Sequence, residues 1–465
     1  MEARYIKHTK KSKNVSPTRQ IAFSFLMVIL IGSLLLWLPF SNKAKAPYLD
    51  HLFVATSATC VTGLVPVVVK EQYTLIGQLI IVILIQIGGL GFLTFLNLMY
   101  VKMKKRISYK NKIIMQEALN QNSVQSITIY IKRVIKYTFS FELIGACCLA
   151  FVFIPEFGLI KGIYYSLFHA ISAFCNAGFD ILGSNSLIPY QNNLLLNLTI
   201  AGLIISGGLG FIVWIEIREH YKQYKEKFKI FNFKKYISSF TIHTKIALIS
   251  TFVLLLSGTL FFFILEYNNP KTLGPLPLTT KLLVSFFQSV TFRTAGFASV
   301  AMGDLLDSTK LLGCFYMFIG GSPAGTAGGI KTTTFIIILL YIYSLAKGMN
   351  QVSMMKRTIS EQVAKRAICI SMISFFIIIN GLLILTLTEN KPFIDLVFET
   401  FSAFGTVGVT ANVTPTLTSL GKIIIILLMY IGRIGPLTMV LIFIKQYTNR
   451  EGKGIIYPNG EILIG

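Results

Sequence analysis

Four short glycine motifs recur along the chain at nearly constant spacing. They read Thr59-Cys-Val-Thr-Gly63-Leu, Phe174-Cys-Asn-Ala-Gly178-Phe, Phe292-Arg-Thr-Ala-Gly296-Phe and Phe404-Gly-Thr-Val-Gly408-Val. Their last glycines are 115, 118 and 112 residues apart, and each motif lies between two long apolar segments. Recurrence at a fixed period indicates one structural unit used four times. Four such units in one chain can surround a central axis.

The hydropathy of the chain is that of a polytopic membrane protein. Of its 465 residues, 54% are hydrophobic and only 13% are charged. A membrane-spanning helix needs roughly 20 apolar residues. Eight segments qualify, at residues 20–39, 74–100, 134–154, 193–217, 244–266, 309–345 with an interruption, 367–388 and 420–444. The connections between them are too short for a nucleotide-binding domain, and the first segment lacks a signal-peptide cleavage site.

The net charge of +24 follows the expected topology rather than a nucleic-acid surface. Of the 43 lysines and arginines, 31 lie before residue 20 or in alternate connections and the C-terminal end. By the positive-inside rule, an even number of spans then places both termini in the cytoplasm. We expect a multi-pass protein of the bacterial plasma membrane. The six cysteines and five histidines show no spacing typical of a metal site or a disulfide framework.

Each repeat is predicted to contain a spanning helix, a short re-entrant half-helix and a second spanning helix. The half-helices are expected at 51–59, 167–174, 282–291 and 395–404, too short to cross a bilayer. The predicted fold is an all-α membrane protein with four tandem helix–pore loop–helix repeats, eight spanning helices and pseudo-fourfold symmetry around one pore. The predicted divisions are a basic cytoplasmic N-terminus at 1–19, repeats at 20–105, 106–220, 221–348 and 349–448, and a C-terminal tail at 449–465.

The glycine motifs themselves are predicted to form a cation-selective filter. A half-helix directs the partial negative charge of its C-terminal end toward the axis, and glycine allows the backbone to approach an ion closely. Rings of backbone carbonyl oxygens replace the hydration shell of K⁺ in potassium channels. The candidate filter residues are Cys60, Val61, Thr62, Gly63, Cys175, Asn176, Ala177, Gly178, Arg293, Thr294, Ala295, Gly296, Gly405, Thr406, Val407 and Gly408.

A second glycine cluster follows each motif by about 24 to 29 residues. In the first two repeats, close helix packing is the simplest explanation. The third cluster interrupts a membrane span, and an irregular segment at that depth must line an aqueous path. It is therefore a candidate gate, comprising Gly320, Gly321, Ser322, Pro323, Ala324, Gly325, Thr326, Ala327, Gly328, Gly329 and Lys331. Arg433, within the last span, either faces the pore below the filter or forms a structural ion pair. Arg293 is expected to point away from the ion path.

The four motifs, the 320–331 segment and the Gly432-Arg433 pair together resemble the Trk/Ktr/HKT superfamily of potassium transporters. Because the first span begins near residue 20, the chain resembles the Ktr-type membrane subunit, which forms the pore. The resemblance implies that Gly63, Gly178, Gly296 and Gly408 form the K⁺ filter. It also implies that the 320–329 loop gates the pore and that Arg433 constrains the same constriction.

The resemblance further implies partners and ions. Ktr-type subunits are homodimers with one pore in each protomer, on an octameric cytoplasmic ring of nucleotide-binding subunits that responds to ATP and ADP. Na⁺ stimulates many of them, and no covalently bound cofactor is expected. Four filter glycines favour K⁺ over Na⁺, and the apolar C-terminal tail is expected to contact the partner protomer. An obligatory Na⁺- or H⁺-coupled symporter remains the alternative, whereas no cluster of catalytic side chains suggests an enzyme.

Overall fold

A computed structural model describes residues 17–91, 127–227, 233–349, 351–355 and 357–443. Nearly all of the predicted basic N-terminus and the whole predicted tail at 449–465 lie outside these residues. The described chain is almost entirely helical, as expected for an all-α membrane protein. A two-stranded antiparallel hairpin, Val352–Met354 with Arg357–Ile359, and the short helices Val69–Gln72 and Phe233–Ser238 connect the larger elements.

The first helix of each repeat is long and apolar. These helices are Pro17–Trp37, Ile127–Phe157, Ile242–Glu266 and Glu361–Thr388. Among the described residues, they are the four helices with the length and hydropathy to cross a membrane singly. The chain is therefore a multi-pass membrane protein.

A half-helix follows each first helix. The four are Tyr48–Cys60, Leu159–Phe174, Leu278–Thr291 and Phe393–Gly405. At 13 to 16 residues they are about 20 to 24 Å long, less than a bilayer core. They begin earlier than predicted, directly after the N-cap residues Pro47, Gly158, Pro277 and Pro392. A proline is tolerated at the start of a helix because the N–H that it lacks would make no helical hydrogen bond there.

The second helix of each repeat ends or breaks at its glycine cluster. The segments are Leu75–Leu90, Leu194–Gly208 with Phe211–Lys227, Asp307–Phe318 with Thr332–Ala346, and Ser419–Ile434 with Pro436–Phe443. The interruption predicted within 309–345 is present. The continuous span predicted at 193–217 is wrong, because its two helices meet at an angle of 92°. Gly91, Gly210 and Gly435 end their helices with φ of 80°, 89° and 98°, a left-handed conformation that releases the backbone from the helix.

The same clusters also provide close packing against the half-helices. A Cβ added to Gly88, Gly207 or Gly432 would overlap a carbonyl oxygen at a half-helix end. The three oxygens belong to Thr59, Phe174 and Phe404 respectively. The close packing predicted for the first two clusters is thus confirmed, and it recurs in the fourth repeat.

Polar contacts join the second helix of one repeat to the half-helix of the next. Lys422 forms a 2.5 Å ion pair with Asp50, and Lys310 forms a 2.7 Å ion pair with Asp395. Between repeats 1 and 2, the Tyr164 hydroxyl donates to Gln78 Oε1 at 2.9 Å. Because the Lys422 contact links the fourth repeat to the first, the four units close into a ring.

Candidate functional site

All four half-helices end in the same unusual backbone conformation. The residue two positions before each motif's last glycine has a positive φ, at Val61 (58°), Asn176 (60°), Thr294 (68°) and Thr406 (50°). The glycines follow with φ of 104°, 68°, 84° and 95° at Gly63, Gly178, Gly296 and Gly408. Positive φ is unfavourable for β-branched residues. Its fourfold repetition indicates a conformation retained for function.

The four glycines lie side by side in a closed ring. A Cβ built on Gly63 would lie 3.2 Å from Gly178 Cα and 3.3 Å from Gly408 Cα. One built on Gly178 would lie 2.6 Å from Gly296 Cα, and one built on Gly296 would lie 2.8 Å from the carbonyl oxygen of Val407. Any side chain at these positions would therefore occupy the space at the centre of the ring.

The carbonyl groups just before the glycines face this space without hydrogen-bond partners. The N–H groups of Thr62, Ala177 and Val407 each donate back to their half-helix at 2.8 Å, and that of Ala295 does so at 3.0 Å. Across the described parts of the chain, no group donates a hydrogen bond to the carbonyl oxygens of these four residues. Buried carbonyls are normally paired. Four unpaired ones around one axis can replace water around a desolvated cation.

The intramembrane loop (residues 320–331) folds back on itself below the ring. Gly320 N–H donates to the Ile330 carbonyl at 2.8 Å, which brings the two ends of the loop together. The Lys331 ammonium donates to the Ala327 carbonyl at 2.6 Å, inside the loop. The irregular backbone predicted here is thus a compact turn stabilised by its own lysine.

This loop pairs with the break in the second helix of repeat 2. Ser322 N–H donates to the Gly208 carbonyl at 2.8 Å, and Phe211 N–H donates to the Ala324 carbonyl at 2.9 Å. Thr326 N–H also donates to a carbonyl of the break, that of Gly207, at 3.2 Å. Backbone groups at membrane depth must be satisfied internally. The loop and the broken helix therefore supply hydrogen-bond partners for each other's backbone groups.

The tip of the loop contacts two of the four motifs directly. Thr326 Oγ1 lies 2.9 Å from Asn176 Oδ1 and 3.1 Å from the Phe174 carbonyl oxygen, both at the second motif. A Cβ added to Gly328 would overlap the Thr406 hydroxyl of the fourth motif. The loop tip is thus in van der Waals contact with the underside of the ring.

Arg433 connects three repeats through carbonyl oxygens. Its guanidinium donates to Gly88 O at 2.5 Å, to Gly89 O at 3.3 Å and to the Thr326 carbonyl. Within the described residues, its partners are these carbonyls and no carboxylate. The ion-pair interpretation of Arg433 is therefore not what the structure shows. Arg433 therefore joins the second helix of repeat 4 to the C-terminal end of the second helix of repeat 1 and to the tip of the loop.

The comparisons with known proteins identify the family. The chain matches the sequence model of TrkH, described as a cation transport protein, over residues 4–451. The chain belongs to this family. It is 43% identical to the Ktr system potassium uptake protein B of Bacillus subtilis, with 97% of both chains covered. It is 40% identical to the potassium/sodium uptake protein NtpJ of Enterococcus hirae, over 97% of this chain and 98% of that protein.

A solved structure agrees on the fold. The crystal structure of the potassium transporter TrkH from Vibrio parahaemolyticus aligns with a TM-score of 0.73 over 95% of this chain and 87% of that one. The sequence identity is 16%, so this likeness bears on the fold alone. Because the chain belongs to the TrkH family, it is a membrane protein of the cation transporter class and not an enzyme.

The mouth of the ring contains a charged residue that is not among the sequence-predicted site residues. The four glycines line one cavity of about 500 Å³, and Asp180 is the single charged side chain among the described residues that line it. Asp180 Oδ1 accepts from Leu182 N–H at 3.2 Å, and Lys70 donates to the Leu182 carbonyl at 3.0 Å. The sequence signal was available, because Asp180 follows the second motif by two residues.

Arg293, the one charged residue within the four motifs, has its side chain outside the ring. The buried Arg293 side chain lines a small cavity with Thr251, Leu255 and Gly321, between repeats 2 and 3. This placement agrees with the expectation that Arg293 points away from the axis. The structure therefore brings the four glycines and their preceding carbonyls together, and it places the arginine behind them.

Proposed function

We propose that the protein takes up potassium ions across the cell membrane through a selectivity filter formed by the main chain of the sixteen motif residues, 60–63, 175–178, 293–296 and 405–408. The observation that carries this proposal is the ring of four unpaired carbonyl oxygens at Thr62, Ala177, Ala295 and Val407. Such a ring offers a dehydrated monovalent cation the ligands that water would otherwise supply.

Potassium as the transported ion is supported by the relatives. Proteins named for potassium uptake match this chain over nearly their whole length, and one is named for both potassium and sodium. A glycine at all four ring positions also favours K⁺, as the family resemblance implies. Na⁺ enters the proposal as an activator rather than as the main substrate.

The intramembrane loop is proposed as the gate. It lies against two motifs through Thr326 and Gly328, and Arg433 donates to its tip. A segment in this position blocks passage when docked and admits ions when displaced. Lys331 would hold the loop compact in either position through its bond to Ala327.

The proposed assembly and orientation come from the family resemblance and the charge distribution. Both termini would be cytoplasmic, and the protein would be a homodimer with one pore in each protomer. A cytoplasmic octameric ring that binds ATP and ADP would control the gate. Co-purification with such a ring, and the mass of the complex, would test the assembly directly.

Complementation tests the transport proposal. The protein, produced with its regulatory subunit in a bacterium that lacks K⁺ uptake, is expected to restore growth at low external K⁺. Failure to rescue despite normal abundance in the membrane would contradict potassium uptake. Deleting part of the 320–329 loop should raise the Rb⁺ uptake rate, and an unchanged rate would place the gate elsewhere.

The coupled-symporter alternative is separated from this proposal by ion replacement. Rb⁺ uptake is measured at a fixed membrane potential, with Na⁺ removed and with pH equal on both sides. Uptake that persists without Na⁺ contradicts obligatory coupling to Na⁺, and Rb⁺ uptake without accompanying H⁺ movement, followed with a pH-sensitive dye, contradicts obligatory coupling to H⁺. Uptake that stops without Na⁺, together with a fixed Na⁺ to Rb⁺ ratio, would favour the symporter.

A further inference from the structure

In every repeat, a buried hydroxyl of the half-helix bonds to the main chain at the ring glycine or at the residue after it. The hydroxyl lies five or six residues before that glycine. Ser57 Oγ accepts from Gly63 N–H at 3.0 Å, and Ser402 Oγ accepts from Gly408 N–H at 3.1 Å. The other two repeats differ, because there the hydroxyls donate to carbonyls just beyond the glycine. Ser172 donates to Phe179 O at 2.7 Å, and Thr291 donates to Phe297 O at 2.6 Å.

The two patterns restrain different peptide groups. In a trans peptide the C=O and the next N–H point in opposite directions. Holding Gly63 N–H against Ser57 therefore turns the Thr62 carbonyl away from the half-helix and toward the ring centre. Thr62 O lies 3.3 Å from the Cβ position of Gly296. The oxygens of Ala177 and Ala295 also lie close to ring positions, at 2.6 Å and 2.7 Å, so the repeats differ in what restrains the carbonyl and not in where it lies.

The same relation holds in repeat 4. Ser402 holds Gly408 N–H, and the Val407 oxygen lies 2.8 Å from the Cβ position of Gly296. In repeats 2 and 3, by contrast, the hydroxyl restrains a peptide group outside the ring. The carbonyls of Ala177 and Ala295 are therefore not fixed by this contact.

We propose that Ser57 and Ser402 are positioning residues that set the discrimination between K⁺ and Na⁺, whereas Ser172 and Thr291 shape the outer lip only. This inference rests on the proposed filter function. Loss of the serine acceptor leaves a buried N–H without a partner, which is costly, whereas an under-satisfied carbonyl is tolerated more readily. The carbonyls of Thr62 and Val407 then lose the orientation that matches one ion size.

The test is alanine substitution at each of the four hydroxyls, read out as Na⁺ competition against Rb⁺ uptake. Ser57→Ala and Ser402→Ala are expected to lower the preference for Rb⁺ over Na⁺ by about three- to tenfold. Ser172→Ala and Thr291→Ala should change it by less than about twofold. Matched controls are Thr56→Val and Thr400→Val, because these buried hydroxyls bond to Leu52 O and Leu396 O within their own half-helices.

Each outcome decides the inference. An unchanged preference in Ser57→Ala and Ser402→Ala overturns it, and equal losses at all four positions refute the peptide-orientation argument. If the wild-type chain itself shows no K⁺-selective uptake, the proposed function fails instead. If an alanine variant does not reach the membrane, Ser57→Cys replaces the hydroxyl with a slightly larger thiol, which is a weaker acceptor. That variant must still show reduced preference, and a wild-type value would count against the inference.

Discussion

Thr326→Val isolates the contact between the intramembrane loop and the filter. Valine has nearly the shape of threonine, so the substitution removes the hydroxyl and leaves the packing of this buried site in place. The hydroxyl has one proton and two acceptors within reach, Asn176 Oδ1 at 2.9 Å and Phe174 O at 3.1 Å. It therefore contributes one hydrogen bond at a time, worth about 0.5–1.5 kcal/mol net. With the cost of the buried acceptors left behind, the docked loop should lose about 1–2 kcal/mol.

A loss of that size changes the equilibrium between docked and displaced loop by roughly 5- to 30-fold. If the docked state predominates, flux rises by the same factor until the displaced state becomes the major one. The assay is the initial rate of Rb⁺ uptake at saturating Rb⁺, divided by the amount of protein in the membrane. Thr326→Ser keeps the hydroxyl and should stay within about twofold of the wild-type rate.

Equal rates in the valine and serine variants would refute the reasoning. A lower rate in the valine variant would do so as well, because it would show that the hydroxyl supports the conducting state. Neither variant alters the main-chain carbonyl of Thr326 that accepts from Arg433. The comparison therefore reports on the hydroxyl alone.

Three further predictions address the ring, its mouth and its packing. Gly178→Ser should lower the preference for K⁺ over Na⁺, because Gly178 has a φ of 68° and a Cβ on it would lie 2.6 Å from Gly296 Cα. Unchanged competition by Na⁺ would show that Gly178 is not part of the filter. Asp180→Asn should raise the half-saturating K⁺ concentration by roughly two- to tenfold at low ionic strength and less at high salt. Burial raises the pKa of Asp180 to about 6, although hydrogen bonds from Ser186, Leu182 and Gly183 and the charge of Lys70 act to lower that pKa. Protonation below that pH should therefore weaken wild-type affinity, while the affinity of the Asp180→Asn variant stays constant. Gly88→Ala should lower the midpoint of thermal unfolding, because its Cβ would overlap Thr59 O, whereas Gly202→Ala, with open space around it, should not.

Much of the architecture could be predicted from the sequence because it depends on local patterns. The four motifs stood out through their period, and the interrupted third cluster through its density of glycine and proline. The half-helix starts could have been placed better, since Pro47, Pro277 and Pro392 lie immediately before three of them. Their lengths were underestimated because hydropathy alone does not distinguish the first turn of a half-helix from a polar loop.

The conformation inside the motifs could not be predicted from residue preferences. Val61, Thr294 and Thr406 have positive φ, although β-branched residues avoid that region. Hydrogen bonds back to the half-helices hold them there, such as Thr62 N–H to Ser57 O. Tertiary structure therefore overrides local propensity at the residues that form the site, as expected where function requires strain.

The break in the second helix of repeat 2 was missed for a related reason, and it limits how the loop can move. The freed backbone groups of Gly207, Gly208 and Phe211 are satisfied by the 322–326 segment, which is more than 100 residues away in the sequence. A rigid displacement of the whole loop would leave all of these groups unpaired inside the membrane, at several kcal/mol in total. We therefore expect residues 320–324 to remain on repeat 2 while the tip at 326–329 moves, so that only the Thr326 bond to Gly207 is lost. Crosslinking Ser322 to Gly208 through paired cysteines should then leave uptake intact, whereas a crosslink from Gly328 to Thr406 should abolish it.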